Sequence, residues 1–509
     1  MNDLNPRNQL RHKRIPFACI VVSCVLASFL SMCQSAWGQS LAPAPVPQSS
    51  SSSYSGSQSS NSQFSNPGAA LSQSPFSGSI PEGKATAETL PLSFKDAVDR
   101  GLRNNLGVLL QSDTSLTAQG EKWKELSELL PHVSALVNQS VEQIDLASEG
   151  FRFNVPGIPN VVGPIGVFQT GAYLTQSVFD YHAIERKRGA SFNEKAAQYS
   201  LKNARDLVVL AVGNSYLVAL AGAARVATAQ ADVQTAQALY EKAADQQKAG
   251  VIPAIDALRA HVELQTRQQE LIVARNDYAK QKLTLGRVIG LPPGQEFGLT
   301  TTAPYEPLAT LPLEQDLQRA YASRPDYLAA AQQVRSAEEF RRAATAEYYP
   351  SLDIAGDYGA AGIRPGSSHG VFAVGATLNI PIFAGGRTHA DVLEAESTLR
   401  QSRQQLENLR GQIDYEVRSA RLDLNAAADQ VEVARSSVDL ATQTLDQARD
   451  RFAAGVTDNL EVVQAQEALA AANETYISSL YSHNLAKISL AKAVGFAEEG
   501  VKQYLQNQK

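Results

Sequence analysis

Few side chains in this 509-residue sequence are spaced for chemistry. The seven histidines (His12, His132, His182, His261, His369, His389 and His483) never cluster at ligand spacing, and His483 falls on an apolar helix seam. Gly362-Ile363-Arg364-Pro365-Gly366 and Phe383-Ala384-Gly385-Gly386-Arg387 are turn sequences that lack the lysine of a phosphate loop. Cys19, Cys24 and Cys33 all precede Ala36, leaving the rest of the chain without a thiol for disulfides, metal ligation or nucleophilic attack. One repeated feature remains. Asp256 and Glu461 stand 205 positions apart, each six residues after a glycine, Gly250 and Gly455. Gathered carboxylates between low-dielectric walls focus a negative potential, although an acid in the first turn of a helix also complements the helix dipole. No catalytic, metal or cofactor site is expected. The chemistry on offer is electrostatic.

The elements that would position these acids are long helices. From Ile413 to Phe452 every alternate step of four and three lands on an apolar residue: Ile413, Val417, Ala420, Leu424, Ala427, Val431, Ala434, Val438, Ala441, Leu445, Ala448, Phe452. Such a seven-residue repeat without interior Gly or Pro is a coiled-coil helix. The pattern returns in weaker form 205 positions earlier, from Val208 to Gln247. The chain therefore contains two copies of one unit. Helices of about 65 residues, near Ala183 to Ala249 and His389 to Ala454, would extend roughly 100 Å. Return helices run from Pro253 to Ile289 and from Asn459 to Val494. Single helices precede each strand pair, one capped by Ser93 and reaching Leu130, the other from Pro312 to Tyr349; Pro131 and Pro350 end them.

Residues 1–38 read as a cleaved signal peptide. Arg7, Arg11, Lys13 and Arg14 precede an apolar run from Ile15 to Leu30 and the small-x-small site Ala36-Trp37-Gly38. A retained anchor and a lipoprotein box around Cys33 are the alternatives. Removing four bases and one acid takes the formal charge from −6 to about −9, which gives no reason to bind nucleic acid. Residues 39–91, rich in Ser, Pro, Gln and Gly, are expected to be a disordered linker. The first repeat covers 92–290, a Pro/Gly/Thr connector 291–311, the second repeat 312–495, and a C-terminal tail 496–509. No stretch after the leader reads as a transmembrane helix, so any membrane crossing must use strands.

Four strand candidates fit that role: His132 to Leu146, Gly166 to Phe179, Ser351 to Gly362 and Gly370 to Ile380. In the last, Phe372, Val374, Ala376, Leu378 and Ile380 share a face opposite Gly375, Thr377 and Asn379; Leu352, Ile354 and Tyr358 likewise oppose Asp353 and Asp357. Apolar-out alternation over about ten residues suits a transmembrane barrel, and a soluble amphipathic sheet is the other reading. Four strands cannot close a barrel, and open edges are not tolerated in lipid, so several chains would have to share one.

Strand pair, long helix, glycine break and return helix, given twice, resemble the TolC-like outer-membrane efflux proteins. The resemblance is carried most specifically by Arg451-Phe452-Ala453-Ala454-Gly455-Val456, by Asn459-Leu460-Glu461-Val462-Val463-Gln464-Ala465, and by Leu378-Asn379-Ile380-Pro381-Ile382-Phe383 with its sister Gln176-Ser177-Val178-Phe179-Asp180. It implies an α+β membrane protein: a homotrimer with four strands per protomer in one transmembrane β-barrel, in outer-membrane lipid, above a coiled-coil α-helical periplasmic tunnel. The resemblance also implies a periplasmic adaptor and an inner-membrane pump or secretion ATPase as partners. By the same resemblance Asp256 and Glu461 would constrict the pore, with Gln464 where a second acid is usual, and Gly250, Val251, Gly455 and Val456 would be adaptor-docking tips. Phe452 and Thr457 occupy the positions of a Tyr and an Arg that latch the tip in some members, so that latch does not carry over. The expected function is passive conduction from the periplasm outward; the rival is a secreted coiled-coil adaptor or structural protein without a channel.

Overall fold

The computed structural model describes residues 75–504 except 146–147, 149, 151–160, 302–304, 309–311, 455 and 458. The expected signal peptide lies outside the described residues. So does most of the expected linker, but its last part is ordered. Strand β1 (Leu90–Leu92) pairs in parallel with a strand of the connector, Phe297–Leu299. Ahead of it, Asn105 Nδ2 donates to the carbonyl of Phe76 at 2.8 Å, and the Ile80 amide donates to the carbonyl of Asn104 at 2.9 Å. Phe76, Leu90 and Leu92 pack on the core, an apolar contribution hidden in the Ser/Pro composition.

Helix α1 (Phe94–Asn104) starts at the expected Ser93 cap, whose hydroxyl accepts from the Asp96 amide. It does not continue to Leu130. The backbone turns extended at Asn105 (φ −69°, ψ 130°), whose buried side chain caps α2 (Leu106–Ser127). After β2 (His132–Asp145) and β3 (Val161–Phe179) come α3 (Tyr181–Lys248) and its return α4 (Ala254–Val288). The connector contributes β4 (Phe297–Leu299). The second repeat then gives α5 (Leu313–Ser323), α6 (Pro325–Ala346), β5 (Ser351–Gly362), β6 (Ser368–Asn379), α7 (Arg387–Ala453) and α8 (Asn459–Val494). Here too the expected single helix is cut in two, at Arg324, because a residue before proline is pushed out of the helical region. The expected tail opens with a further helix, α9 (Ala497–Tyr504), its Ala497 buried.

The heptad seam is buried as the spacing requires. Ten of its twelve stops, from Ile413 to Phe452, are buried, and Val438 and Ala441 are half-buried. One expectation about apolarity fails: α3 contains a window of mean hydropathy 1.9, apolar enough for a membrane span. Half of that window is buried inside the protomer, against α1, α4 and α8, where Val208, Val212, Tyr216, Leu285 and Ile488 form the largest core cluster. Gly101 is what lets α1 approach, since a Cβ there would lie 2.5 Å from Cγ2 of Val212.

The four long strands form one antiparallel sheet, β2-β3-β5-β6. Its register aligns like faces. Ala135, Ala172, Tyr358 and Phe372 lie in one row, and Val133 and Leu174 in another. The opposite face carries Ser134, Tyr173 and Asp357 in one row and Ser177, Asp353 and Thr377 two rows on. The soluble-sheet reading would need the apolar face covered, yet Val133, Val137, Tyr358, Phe372 and Val374 are each at least 72% exposed.

Arg324 does more than break a helix. Only 2% exposed, it bonds Asp326 at 2.6 Å, Glu416 at 2.7 Å and the Ala493 carbonyl at 3.3 Å, joining α6, α7 and the end of α8. Arg324→Ala takes from Asp326 its counter-charge and leaves Glu416 with Lys492 alone, at 3.2 Å, and is expected to destabilise the protomer by about 3 kcal/mol, read as a lowered thermal midpoint. An unchanged midpoint contradicts the assignment.

Two buried groups tie stability to pH with opposite signs. Burial drives the Asp206 carboxyl up to about 6 from its ordinary 3.8. The folded state therefore holds a proton that the unfolded chain releases, and this group's contribution is lost as pH rises through that window. His483, fully buried against Tyr305, is pushed down to about 4 from 6.5 by burial and by nearby Lys487. Its contribution is lost as pH falls through that range. His483→Leu removes one slope, so between pH 6.5 and 4.5 the variant should gain several degrees of thermal midpoint relative to the parent. Parallel profiles would refute this account.

Candidate functional site

The ends of the two long hairpins farthest from the sheet carry the repeated acids. At the end of α3, Gly250 adopts φ +71°, a left-handed conformation that glycine enters without strain. The Val251 amide reaches back to the Gln246 carbonyl at 2.9 Å and the Gly250 amide to Gln247 at 2.9 Å, the paired closure that satisfies a helix C-terminus. At the end of α7 the Val456 amide makes the same long reach, to the Arg451 carbonyl at 3.0 Å. Gly455 itself lies outside the described residues. Val251 and Val456 stand 68% and 70% exposed, so both tips present a valine to solvent.

Asp256 and Glu461 are equivalent in sequence but not in surroundings. Asp256 is 7% exposed, on the same side of α4 as buried Ala257, Ala260 and Glu263, and Arg259 Nη1 lies 3.3 Å from its carboxylate. Within the protomer Asp256 therefore shows little surface, unlike Glu461. The physical reason is an inversion of α4. Its polar Asp256, Glu263 and Arg267 face inward, Arg267 and Glu263 pairing at 2.6 Å, while Ile255, Leu258 and Val262 are more than half exposed.

Glu461 is half-exposed at the start of α8 and Gln464, one turn on, is exposed. The Glu461 carboxylate accepts from Arg451 Nη1 at 2.8 Å and from the Thr457 hydroxyl. Glu461 thus staples its hairpin shut across the turn. Beneath it Phe452 is buried with Leu239, Leu445, Val462 and Ala465, so the aromatic residue serves as a core anchor. The sequence reading missed Arg451 and Arg259, which offset the expected negative ring with one cation per acid. The Arg259 partnership was available from the three-residue helical spacing. Arg451 and Glu461 are ten residues apart on different helices and meet only when the turn closes. Among the described residues no group of three or more His, Cys, Asp or Glu could hold a metal.

A second charged cluster lies below the sheet, where α3 begins and α6 ends. Glu185 is fully buried, takes a hydrogen bond from Arg188 at 2.5 Å, and faces Tyr181 and Glu339. Burial opposes its ionisation, but hydrogen bonds with Glu339 and Tyr181 outweigh that and hold its pKa below the usual carboxylate range. Arg342 balances Glu339 at 3.0 Å. The arrangement ties α3 to α6.

Comparison with known proteins agrees with this geometry. The chain matches the outer membrane efflux protein family over residues 128–291 and 317–496. It is 26% identical over 243 residues to the outer membrane efflux protein BepC of Brucella suis, a stretch covering 47% of this chain and 52% of that protein. It is 21% identical over 345 residues to the outer membrane protein TolC of Escherichia coli, covering 64% of this chain and 69% of the relative. Among solved structures, the CmeC outer membrane channel of Campylobacter jejuni superposes with a TM-score of 0.69 at 16% identity, over 86% of this chain and 96% of that one. The MtrE outer membrane channel of Neisseria gonorrhoeae gives 0.67 at 17% identity, over 82% and 95%. With both repeats matched and the fold shared across most of its length, the chain belongs to the outer membrane efflux protein family.

Proposed function

We propose that this protein is the outer-membrane exit duct of a tripartite efflux pump or type I secretion system, conducting substrates passively from the periplasm to the exterior. The observation that carries the reading is the four-stranded sheet. It has one continuous apolar face, two unpaired edges at β2 and β6, and helices of 68 and 67 residues rising from it. In hydrocarbon each unpaired backbone group costs several kcal/mol, so β6 of one copy pairs with β2 of the next. Three copies give twelve strands, within the range of closed barrels.

The outer seams of the helices support the same assembly. Ile255, Leu258 and Val262 on α4, and Tyr415, Leu422, Val433 and Leu440 on α7, are large, apolar and exposed in the protomer, with heptad-like spacings that suit helices of adjacent copies. Gly250, Val251, Gly455 and Val456 then form the tips that meet a periplasmic adaptor, which links the duct to an inner-membrane pump or secretion ATPase. Glu461 and Gln464 narrow the entrance. Glu461 acts through its balance with Arg451 rather than as a bare charge. The fold supplies no chemistry of its own, and the driving force comes from the partner pump.

Purified in detergent, the protein should run at the mass of three copies, and Leu258→Glu with Val262→Glu should shift it toward monomer; a monomer that stays in solution without detergent overturns the reading. In planar bilayers, Arg451→Ala should raise the cation-to-anion permeability ratio by about twofold or more and Glu461→Ala should lower it. If reversal potentials in a salt gradient are identical for both variants and the parent, Glu461 is not in the conducting path.

A further inference from the structure

The two repeats join their sheet to their long helix differently. β3 passes into α3 through Asp180 alone, whereas β6 reaches α7 through seven residues, Ile380 to Gly386. A duplicated unit that turns with one residue in its first copy does not need seven in its second. The longer turn projects Ile382 and Phe383, which are 95% and 89% exposed, the most exposed large apolar side chains among the described residues. Gly385 (φ +62°) and Gly386 (φ +89°) reverse the chain immediately behind them. A Cβ on either glycine would meet nothing within 4 Å, so they serve the backbone conformation and not a close contact.

We infer that this turn is a lipid finger, with Ile382 and Phe383 seated in the acyl-to-headgroup boundary of a phospholipid leaflet at the tunnel-side rim of the sheet. The inference rests on the reading of that sheet as a membrane barrel. Continuity singles out lipid as the occupant. Phe372, Val374, Ala376, Leu378 and Ile380 alternate along the outward apolar face, and Ile382 extends the same even-numbered series past the strand end. Aromatic residues from the neighbouring junction stand at that end too. Ser351 pairs with Asn379, and just before it Tyr348 and Tyr349 are 55% and 54% exposed. Aromatic rings collect at the interfacial level of barrels because one end of the ring is apolar and the other tolerates water. Arg387 follows, its side chain 78% exposed even while paired with Asp391, and suits a headgroup phosphate. At the sister junction Val178 and Phe179 are also exposed, at 52% and 48%, but they end strand β3 and are not carried on a projecting turn. Each protomer thus carries one finger, which fixes how deeply the barrel sits.

The test is collisional accessibility of a nitroxide on the full chain in phosphatidylcholine vesicles, with Cys19, Cys24 and Cys33 replaced by Ser. Labels go on Ile382→Cys and Phe383→Cys, with Val374→Cys as the reference for the sheet's apolar face and Lys248→Cys for water. Both loop positions are so open that a label displaces no packed atom. Collisions with oxygen should exceed those with a water-soluble nickel chelate several-fold at positions 382 and 383, as at 374, and the order should reverse at 248. Nickel-dominated collisions at 382 and 383 with oxygen-dominated ones at 374 overturn the finger and leave the barrel standing. Low access to both reagents means that a second copy covers the loop, which also overturns it. Nickel-dominated collisions at 374 itself overturn the barrel reading and the finger with it.

Discussion

Everything in this molecule answers to a row of unpaired backbone groups. The sheet has four strands, and its outer two, β2 and β6, each have a partner on one side only. In water such an edge is an aggregation hazard; in lipid it is prohibitive. The apolar face, with Phe372 and Val374 each 76% exposed, requires lipid, and lipid requires the edges closed. A single chain satisfies neither demand. In the proposed assembly the protomer is a fraction of a structure, and its helices place such fractions around one axis.

The helices meet that requirement by carrying two seams each. On α7 the inner seam, Ile413 to Phe452, alternates large residues with alanine and closes on α8 and α5. A second seam of Tyr415, Leu422, Val433 and Leu440 is left outside. On α4 the division is sharper, since the polar residues turn inward and pair with one another while the apolar ones face out. Buried ion pairs of this kind contribute little net stability compared with apolar packing. Their presence inside the hairpin makes sense when the best apolar surface is reserved for a neighbour. Arg324 plays a comparable part at the other end, joining three helices through two carboxylates and one carbonyl.

At the tips, charge is balanced locally. Asp256 is matched by Arg259 and Glu461 by Arg451, so the tips hold charges paired at short range. The Glu461 contacts to Arg451 and Thr457 span the α7–α8 turn, and any motion that opens this hairpin has to part them.

Much of this could be read from the chain itself, because local periodicity is a property of local sequence. The seven-residue repeat, the duplication at 205 positions, the alternation in β5 and β6, and the glycine that ends α3 all follow from rules that act over a few residues. Tertiary structure decided what lies between distant residues. It cut the helices at Asn105 and Arg324, where buried side chains cap or brace neighbouring elements. It recruited Phe76 and Leu90 from a stretch whose composition reads as disorder. It turned Asp256 inward while leaving its sequence equivalent Glu461 half-exposed, since two copies of one motif packed against different neighbours bury different faces. The apolar window of α3 shows the same division, since other helices of the protomer cover half of it. Pattern fixes which faces are apolar, and only the assembled contacts determine what each face meets.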